Sequence, residues 1–277
     1  MMPTHRSKIH SPLEANPNKY RTDALSPLEA SPNKYRSREN SPDLSPTLSP
    51  YLIAWYKFDE GSGTVVYNRA TDGSGGGGLL SNLTVVLQKN SFWTALSGFG
   101  SSTGNGNPDF AWNKPNRNLG PGGVAYGSFF KINGANIVSG ACLNILNGAE
   151  PKVQISPETG RLNLWWSATT DNFYFDYLNQ WFFIFMANDG KWRVVKNDGT
   201  VLIGTIVMPL DNMQQFIFLR FGFTYANADP PTIVYSPSSA NYGDWILYSG
   251  TTLTIAKWAQ WYDALRGRYG MAARSGW

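Results

Sequence analysis

The sequence is nearly devoid of the side chains from which most catalytic and metal sites are built. It has two histidines, His5 and His10, and one cysteine, Cys142. With no histidine beyond residue 10, Ser-His-Asp catalysis, Cys-His catalysis and histidine-ligated metals are excluded from the rest of the chain. A single cysteine excludes an internal disulfide framework and a cysteine-based zinc site, and Cys142 reads as a buried thiol. Charge is scarce too, 15 % of residues against about 25 % in an average soluble domain. Coiled coils and helical bundles need more. The net charge of +4 is too small for a nucleic-acid coat or a polybasic membrane anchor. The longest apolar run, Trp181 to Ala187, is far short of the roughly 20 residues that span a bilayer. The N-terminus carries charges and prolines where a signal peptide needs an apolar stretch. The expectation is a soluble protein made in a reducing cytoplasm, with no membrane and no nucleic-acid partner.

Glycine (28), proline (17) and aromatics (14 %) are plentiful, as in a turn-rich β protein. Their distribution breaks near residue 50. Residues 1–50 hold 8 of the 17 prolines and none of the 11 tryptophans, with seven basic and five acidic residues. So little apolar surface cannot offset the ordering entropy of the segment, which reads as an extended arm. The arm repeats itself. Ser11 to Arg21 returns as Ser26 to Arg36 with ten of eleven positions identical, at a period of 15. Each copy offers a leucine, Leu13 or Leu28, and a basic-aromatic cluster, Lys19-Tyr20-Arg21 or Lys34-Tyr35-Arg36. A duplicated linker would look the same. The reading taken is repeated binding: at about 3.1 Å per extended residue, one period spans about 45 Å, enough to touch successive subunits of a regular surface.

Residues 51–277 read as β structure throughout. Trp181 to Met186 is apolar on both faces, as a covered central strand requires. Asn188-Asp189-Gly190 and Asn197-Asp198-Gly199 supply two turns around the strand Lys191 to Lys196, and Val201 to Val207 follows. Val153 to Ile155 and Leu162 to Leu164 alternate about a turn at Pro157-Glu158-Thr159-Gly160. Phe216 to Phe223 and Trp245 to Tyr248 are further strands. Gly73 to Gly78, five glycines in six positions, reads as a mobile loop. Ile255, Trp258, Tyr262 and Leu265 share one helical face, with Thr254 as cap and Gly267 as stop. Many short strands with regular turns predict a sandwich or barrel.

Three segments carry a family resemblance. Tyr51 to Gly63, an apolar strand followed by Asp59-Glu60-Gly61-Ser62-Gly63, resembles the opening of laminin-G-like, concanavalin-A-like domains. Trp181 to Gly199 resembles their central hairpin. Gly243 to Tyr248 with Leu253-Thr254-Ile255 resembles their closing strand and short helix. The resemblance implies an all-β, two-sheet jelly-roll sandwich over 51–277 with a short C-terminal helix. It also implies one of two roles, since such domains occur in bacteriophage structural proteins and in secreted carbohydrate-binding proteins. Relatives often bind calcium through an acid after the second strand. Here Asn68 stands at that place, and Asp59 and Asp72 are the weak candidates left for the metal. No cofactor is expected.

Glycoside hydrolysis needs two facing carboxylates. The body has three glutamates, Glu60, Glu150 and Glu158, and none makes the tight acidic spacing of enzymes on this fold. A non-enzyme is expected. Sugar binding by stacking is the competing chemistry, with Trp165, Trp166 and Tyr174 as candidates, although most aromatics belong in a sandwich core. The expectation is therefore a virion structural protein, a capsid decoration protein whose arm grips the major capsid protein or another regular lattice. It would sit on the virion surface after assembly in the host cytoplasm. The alternative is a glycan- or receptor-binding module of a phage tail, fibre or secreted adhesin.

Overall fold

The computed structural model describes residues 49–87, 92–93, 100–102, 109–115, 117–119, 123–133, 143–147, 150–158, 161–166, 169–207, 215–216, 218–221 and 239–277. In chain order the strands are β1 (Leu52–Tyr56), β2 (Val65–Val66), β3 (Leu83–Val86), β4 (Gly100–Ser102), β5 (Phe110–Asn113), β6 (Arg117–Asn118), β7 (Val124–Asn133), β8 (Leu143–Asn147) and β9 (Glu150–Glu158). They continue as β10 (Arg161–Trp166), β11 (Thr169–Phe173), β12 (Trp181–Met186), β13 (Lys191–Val195), β14 (Val201–Val207), β15 (Gln215–Phe216), β16 (Phe218–Phe221) and β17 (Ser239–Ser249), with one α-helix, α1 (Ile255–Leu265).

Two antiparallel sheets form the expected sandwich. One runs β1-β17-β7-β12-β13-β14, with β4 also paired to β17. The other runs β11-β10-β9-β8-β16-β5-β3-β2. The opening strand thus lies beside the closing one, in a register that sets Trp55 opposite Ile246.

Side-chain alternation along the first sheet builds two apolar layers. In β12, Phe182, Ile184 and Met186 face the second sheet, where they join Leu162, Leu164, Leu219 and Phe221. Phe183 and Phe185 face the other way, toward α1. Tyr126 and Phe130 against Phe129 in β7, and Trp245 and Leu247 against Ile246 and Tyr248 in β17, divide in the same manner. A strand covered on both faces must be apolar at every position, which is why β12 reads as an unbroken apolar run. Each aromatic ring buried this way contributes about 1.5–3 kcal/mol.

The helix forms where its periodicity places it. The Thr254 hydroxyl accepts from the Lys257 N–H at 3.3 Å. Trp258 donates its indole N–H to the Met186 carbonyl at 2.6 Å, and Trp261 donates to the Tyr248 hydroxyl at 3.1 Å. Gly127 leaves room for the Trp258 ring; a Cβ there would collide with it. The expected stop is displaced. The chain tightens into a 3-10 turn through Arg266–Tyr269, and Gly270, at φ +63°, ends it rather than Gly267. The tail then pairs with the tip of the β13–β14 hairpin, Ala272 N–H to the Asn197 carbonyl and Ser275 N–H to the Gly199 carbonyl.

Other expectations also need correction. Gly73 to Gly78 is not a mobile loop: it holds a 3-10 turn, Ser74–Gly76. Gly75 lies against the Tyr51 ring and Gly76 against Ile53 with no space for a side chain. Arg117 donates to the carbonyls of Gly76, Gly77 and Gly78 at 3.3, 3.0 and 2.7 Å. The glycines here serve close packing. The turn expected at Pro157 to Gly160 is shorter, because β9 continues to Glu158 and pairs it with Arg161. The stretch from Phe216 divides into β15, paired with β6 outside both large sheets, and β16, inside the second one.

Candidate functional site

The two sheets end side by side, with β14 the last strand of one and β11 the last strand of the other. Their free edges are joined by one carboxylate. Asp171 in β11 accepts from the Thr205 N–H at 2.6 Å and from the Thr205 hydroxyl at 3.3 Å. The bond occupies a backbone donor that an edge strand would otherwise present to other chains. Gly204 makes the approach possible, since a Cβ there would stand 2.6 Å from the Asp171 carboxylate and 2.8 Å from the Phe173 ring.

Beyond β11 the chain crosses to β12 through residues 174–180, and this crossing is the rim. Its burial alternates. Phe173 and Tyr177 are buried, and Phe175 packs against the inter-sheet core. Tyr174, Asp176 and Asn179 are exposed. The inward aromatics interlock: Phe175 meets Tyr177 at 5.5 Å and Phe182 at 5.7 Å, both edge-on. Asn179 adopts φ +57°, a conformation asparagine tolerates, and donates its N–H to the Ile132 carbonyl at 2.7 Å. Tyr174 is 68 % exposed on this held segment, the most exposed large apolar side chain among the described residues. Ile203 in β14, 56 % exposed, lies on the same edge of the sandwich.

A second cluster of polar groups lies between strand and C-terminal turn. Gly243 and Asp244 form a bulge in β17, two residues opposite the single Phe129. Asp244 is fully buried there. It accepts from the Trp55 indole at 2.5 Å, the Tyr269 hydroxyl at 2.5 Å and Arg268 at 2.9 Å, and its own N–H donates to the Tyr269 oxygen at 2.6 Å. Burial pushes the Asp244 carboxyl above the usual carboxylate range, against the pull of Arg268. The other fork of Arg268 reaches Asp59 at 2.9 Å. This cluster braces the fold: the partners of Asp244 are packing residues or, in Arg268, an ion-pair bridge to Asp59.

The calcium candidates do not fit a metal as they stand. Asp59 already faces three cations, Arg268 at 2.9 Å, Lys57 at 3.6 Å and Arg69 at 3.7 Å. Asp72 is exposed and accepts from the Ser74 N–H. Asn68 is fully used as a brace: its oxygen accepts from the Trp55 and Ala70 N–H groups, and its amide donates to the Ile53 and Leu80 carbonyls. Among the described residues no group of three or more acidic, histidine or cysteine side chains converges.

The other predicted residues fare unequally. Tyr174 is exposed as stacking demands. Trp165 and Trp166 occupy adjacent ladder positions in β10, opposite Gln154 and Val153 on one side and Thr170 and Thr169 on the other; their side chains lie outside the described residues. The arm residues Leu13, Lys19, Tyr20, Arg21, Leu28, Lys34, Tyr35 and Arg36 also lie outside the described residues, as does Cys142. Sequence reasoning missed Asn179 and Ile203. Nothing in the pattern of β14 singles out Ile203 from its apolar neighbours, and Asn179 is marked only by its backbone angle.

No family model and no curated protein matches this sequence. Solved structures do match. One is botulinum neurotoxin type C, from work on its cell entry through two ganglioside molecules, at a TM-score of 0.54 and 14 % identity over 79 % of this chain and 53 % of that one. Another is the binding domain of botulinum neurotoxin DC in complex with SialylT, at 0.51 and 12 % over 79 % and 52 %. A third is the same binding domain with rat synaptotagmin II, at 0.52 and 13 % over 78 % and 52 %. This chain therefore spans about half the length of those it matches. At such identities the likeness is one of fold, a β-sandwich that these receptor-binding domains share.

Proposed function

We propose that the sandwich is a non-catalytic recognition module that binds a glycan or a glycan-bearing receptor. The observation that carries this reading is Tyr174, an aromatic face turned to solvent on a rim whose alternate residues are locked into the core. A tyrosine on a segment held by its neighbours has few rotors left to order on binding. The structural neighbours named for gangliosides, SialylT and synaptotagmin add weight, as domains of this fold that receptors engage. Screening the full chain on a glycan array and then measuring solution affinity for any hit tests the proposal. Concentration-dependent, saturable binding supports it, and uniform silence rejects it.

A second reading, capsid decoration, rests on the 15-residue repeat in the arm. Two equivalent segments suit a surface with equivalent sites, such as the major capsid protein of a bacteriophage, and tethered contacts reinforce each other. Co-sedimentation with a protein shell that loses the intact chain when Tyr20 and Tyr35 are both changed to alanine would favour it. In that case the sandwich stands on the virion surface.

A further inference from the structure

We infer that Arg69 is a built-in cation standing where the acidic turn after β1 would otherwise take a metal ion, so that this turn is held without calcium.

The turn reads Asp59-Glu60-Gly61-Ser62-Gly63, and its two acids face one atom. Arg69 Nη2 lies 3.7 Å from Asp59 Oδ1 and 3.4 Å from Glu60 Oε1. A single positive group thus spans two carboxylates, the task a divalent ion performs with oxygens at about 2.3–2.6 Å. The oxygens are divided among the cations. Lys57 and Arg268 both address Asp59 Oδ2, at 3.6 and 2.9 Å, and leave Oδ1 to Arg69. Glu60 Oε1 also accepts from the Tyr67 N–H at 2.9 Å. The Glu60 side chain is only 7 % exposed, and its Oε2 is buried with no hydrogen-bond partner among the described residues. A buried carboxylate short of hydrogen bonds depends on a nearby positive charge. Taken together, Asp59, Glu60 and Asp244 face Lys57, Arg69 and Arg268. Three acids meet three bases, and removing Arg69 leaves one acid in excess. The backbone positions Arg69 for this role. Its N–H donates to the Trp55 carbonyl at 2.8 Å, and its guanidinium lies over the Tyr67 ring, 5.6 Å from the centre. Asn68, the neighbour, spends its side chain on the backbone groups it braces and brings no oxygen to the turn.

The test follows thermal unfolding of the full chain in about 10 mM calcium chloride, in EDTA, and in sodium chloride of matched ionic strength. Wild type is expected to unfold at the same temperature in all three, within about 1 °C. Arg69→Met, which keeps the stem and loses the charge, should unfold earlier in EDTA and recover by about 3 °C or more in calcium, with no such gain in sodium chloride. Arg69→Lys, which keeps the charge, should remain indifferent to calcium. If Arg69→Met does not fold in EDTA, refolding it in calcium gives the same reading: recovery supports the inference and failure overturns it. A wild type stabilised by calcium beyond the sodium control overturns it, because a metal then enters beside Arg69. Indifference of Arg69→Met to calcium overturns it as well, and leaves Arg69 an ordinary ion-pair partner.

Discussion

Two ion pairs at opposite places in the first sheet behave in opposite ways. At the tip of the β12–β13 hairpin, Asp189 is half exposed and Arg193 is buried, joined through both carboxylate oxygens at 3.0 and 2.8 Å. At the β17 bulge the acid is the buried partner, and Arg268 keeps part of its surface in water. The Arg193 bond holds the Asp189 carboxyl down at about 2. Burial holds the Asp244 carboxyl up. The chemistry of the two pairs is the same, so the difference lies in which partner gives up its water. The hairpin pair keeps its carboxylate in solvent and lets Arg193 lie under it. The bulge pair takes its carboxylate inside because Trp55, Tyr269 and Arg268 together replace the lost hydration.

The sharpest way to break this comparison is to delete the buried acid. Asp244→Ala leaves the Trp55 and Tyr269 donors without their acceptor and should cost about 3 kcal/mol in urea unfolding. Asp244→Asn should cost clearly less, since an amide oxygen still accepts. A cost for the alanine variant no larger than that of Asp189→Ala would show that the bulge is held by packing alone. Next in size is the edge clasp. Asp171→Ala should cost about 1 kcal/mol and raise the tendency to self-associate, measured by light scattering, because the Thr205 edge donor is released.

The pH dependence sharpens the contrast with a smaller effect. Asp189 has a folded-state pKa below its unfolded value, so its contribution is complete above the unfolded carboxylate range and is lost as pH falls through about 2. Solvent screens this half-exposed pair, and the contribution stays under about 1 kcal/mol. Asp244 has the opposite sign: its raised pKa means the folded state holds the proton more tightly, so this group favours folding as pH falls. Asp189→Asn should flatten the acid limb of a stability–pH curve, whereas Asp244→Asn should steepen it. A matching slope change in both variants would sink the argument. The smallest expected effect is at the rim. Tyr174→Ala should leave stability within about 0.5 kcal/mol, because the ring is mostly in water. A large loss there would turn the rim residue into a structural one.

Much of the fold was legible before any coordinates. The helix over Ile255–Leu265 followed from one apolar face and a threonine cap, and both strands of the Asp189-Gly190 hairpin followed from a turn signal between apolar runs. What stayed illegible were features that depend on a distant neighbour. The glycines at 73–78 look like a flexible loop until Ile53, Tyr51 and Arg117 close on them. A local reading picks Gly267 as the stop. Gly270 ends the turn, where the chain turns back toward the β13–β14 tip and Asn197 receives Ala272.

The candidate site divides along the same line. Tyr174 was a stacking candidate by residue type alone, with most aromatics expected in the core. Local periodicity determined the strands, the helix and the split between two apolar layers, because side-chain direction repeats every two or 3.6 residues and can be counted. Only the tertiary structure decided that Tyr174 would be the exposed ring, that Asp171 would fasten two sheet edges, and that Asp244 would lie dry beneath Arg268. Those outcomes depend on which strands end up adjacent. Adjacency joins Asp244 to residues 189 positions away in one direction and 25 in the other, at separations over which no local pattern carries information.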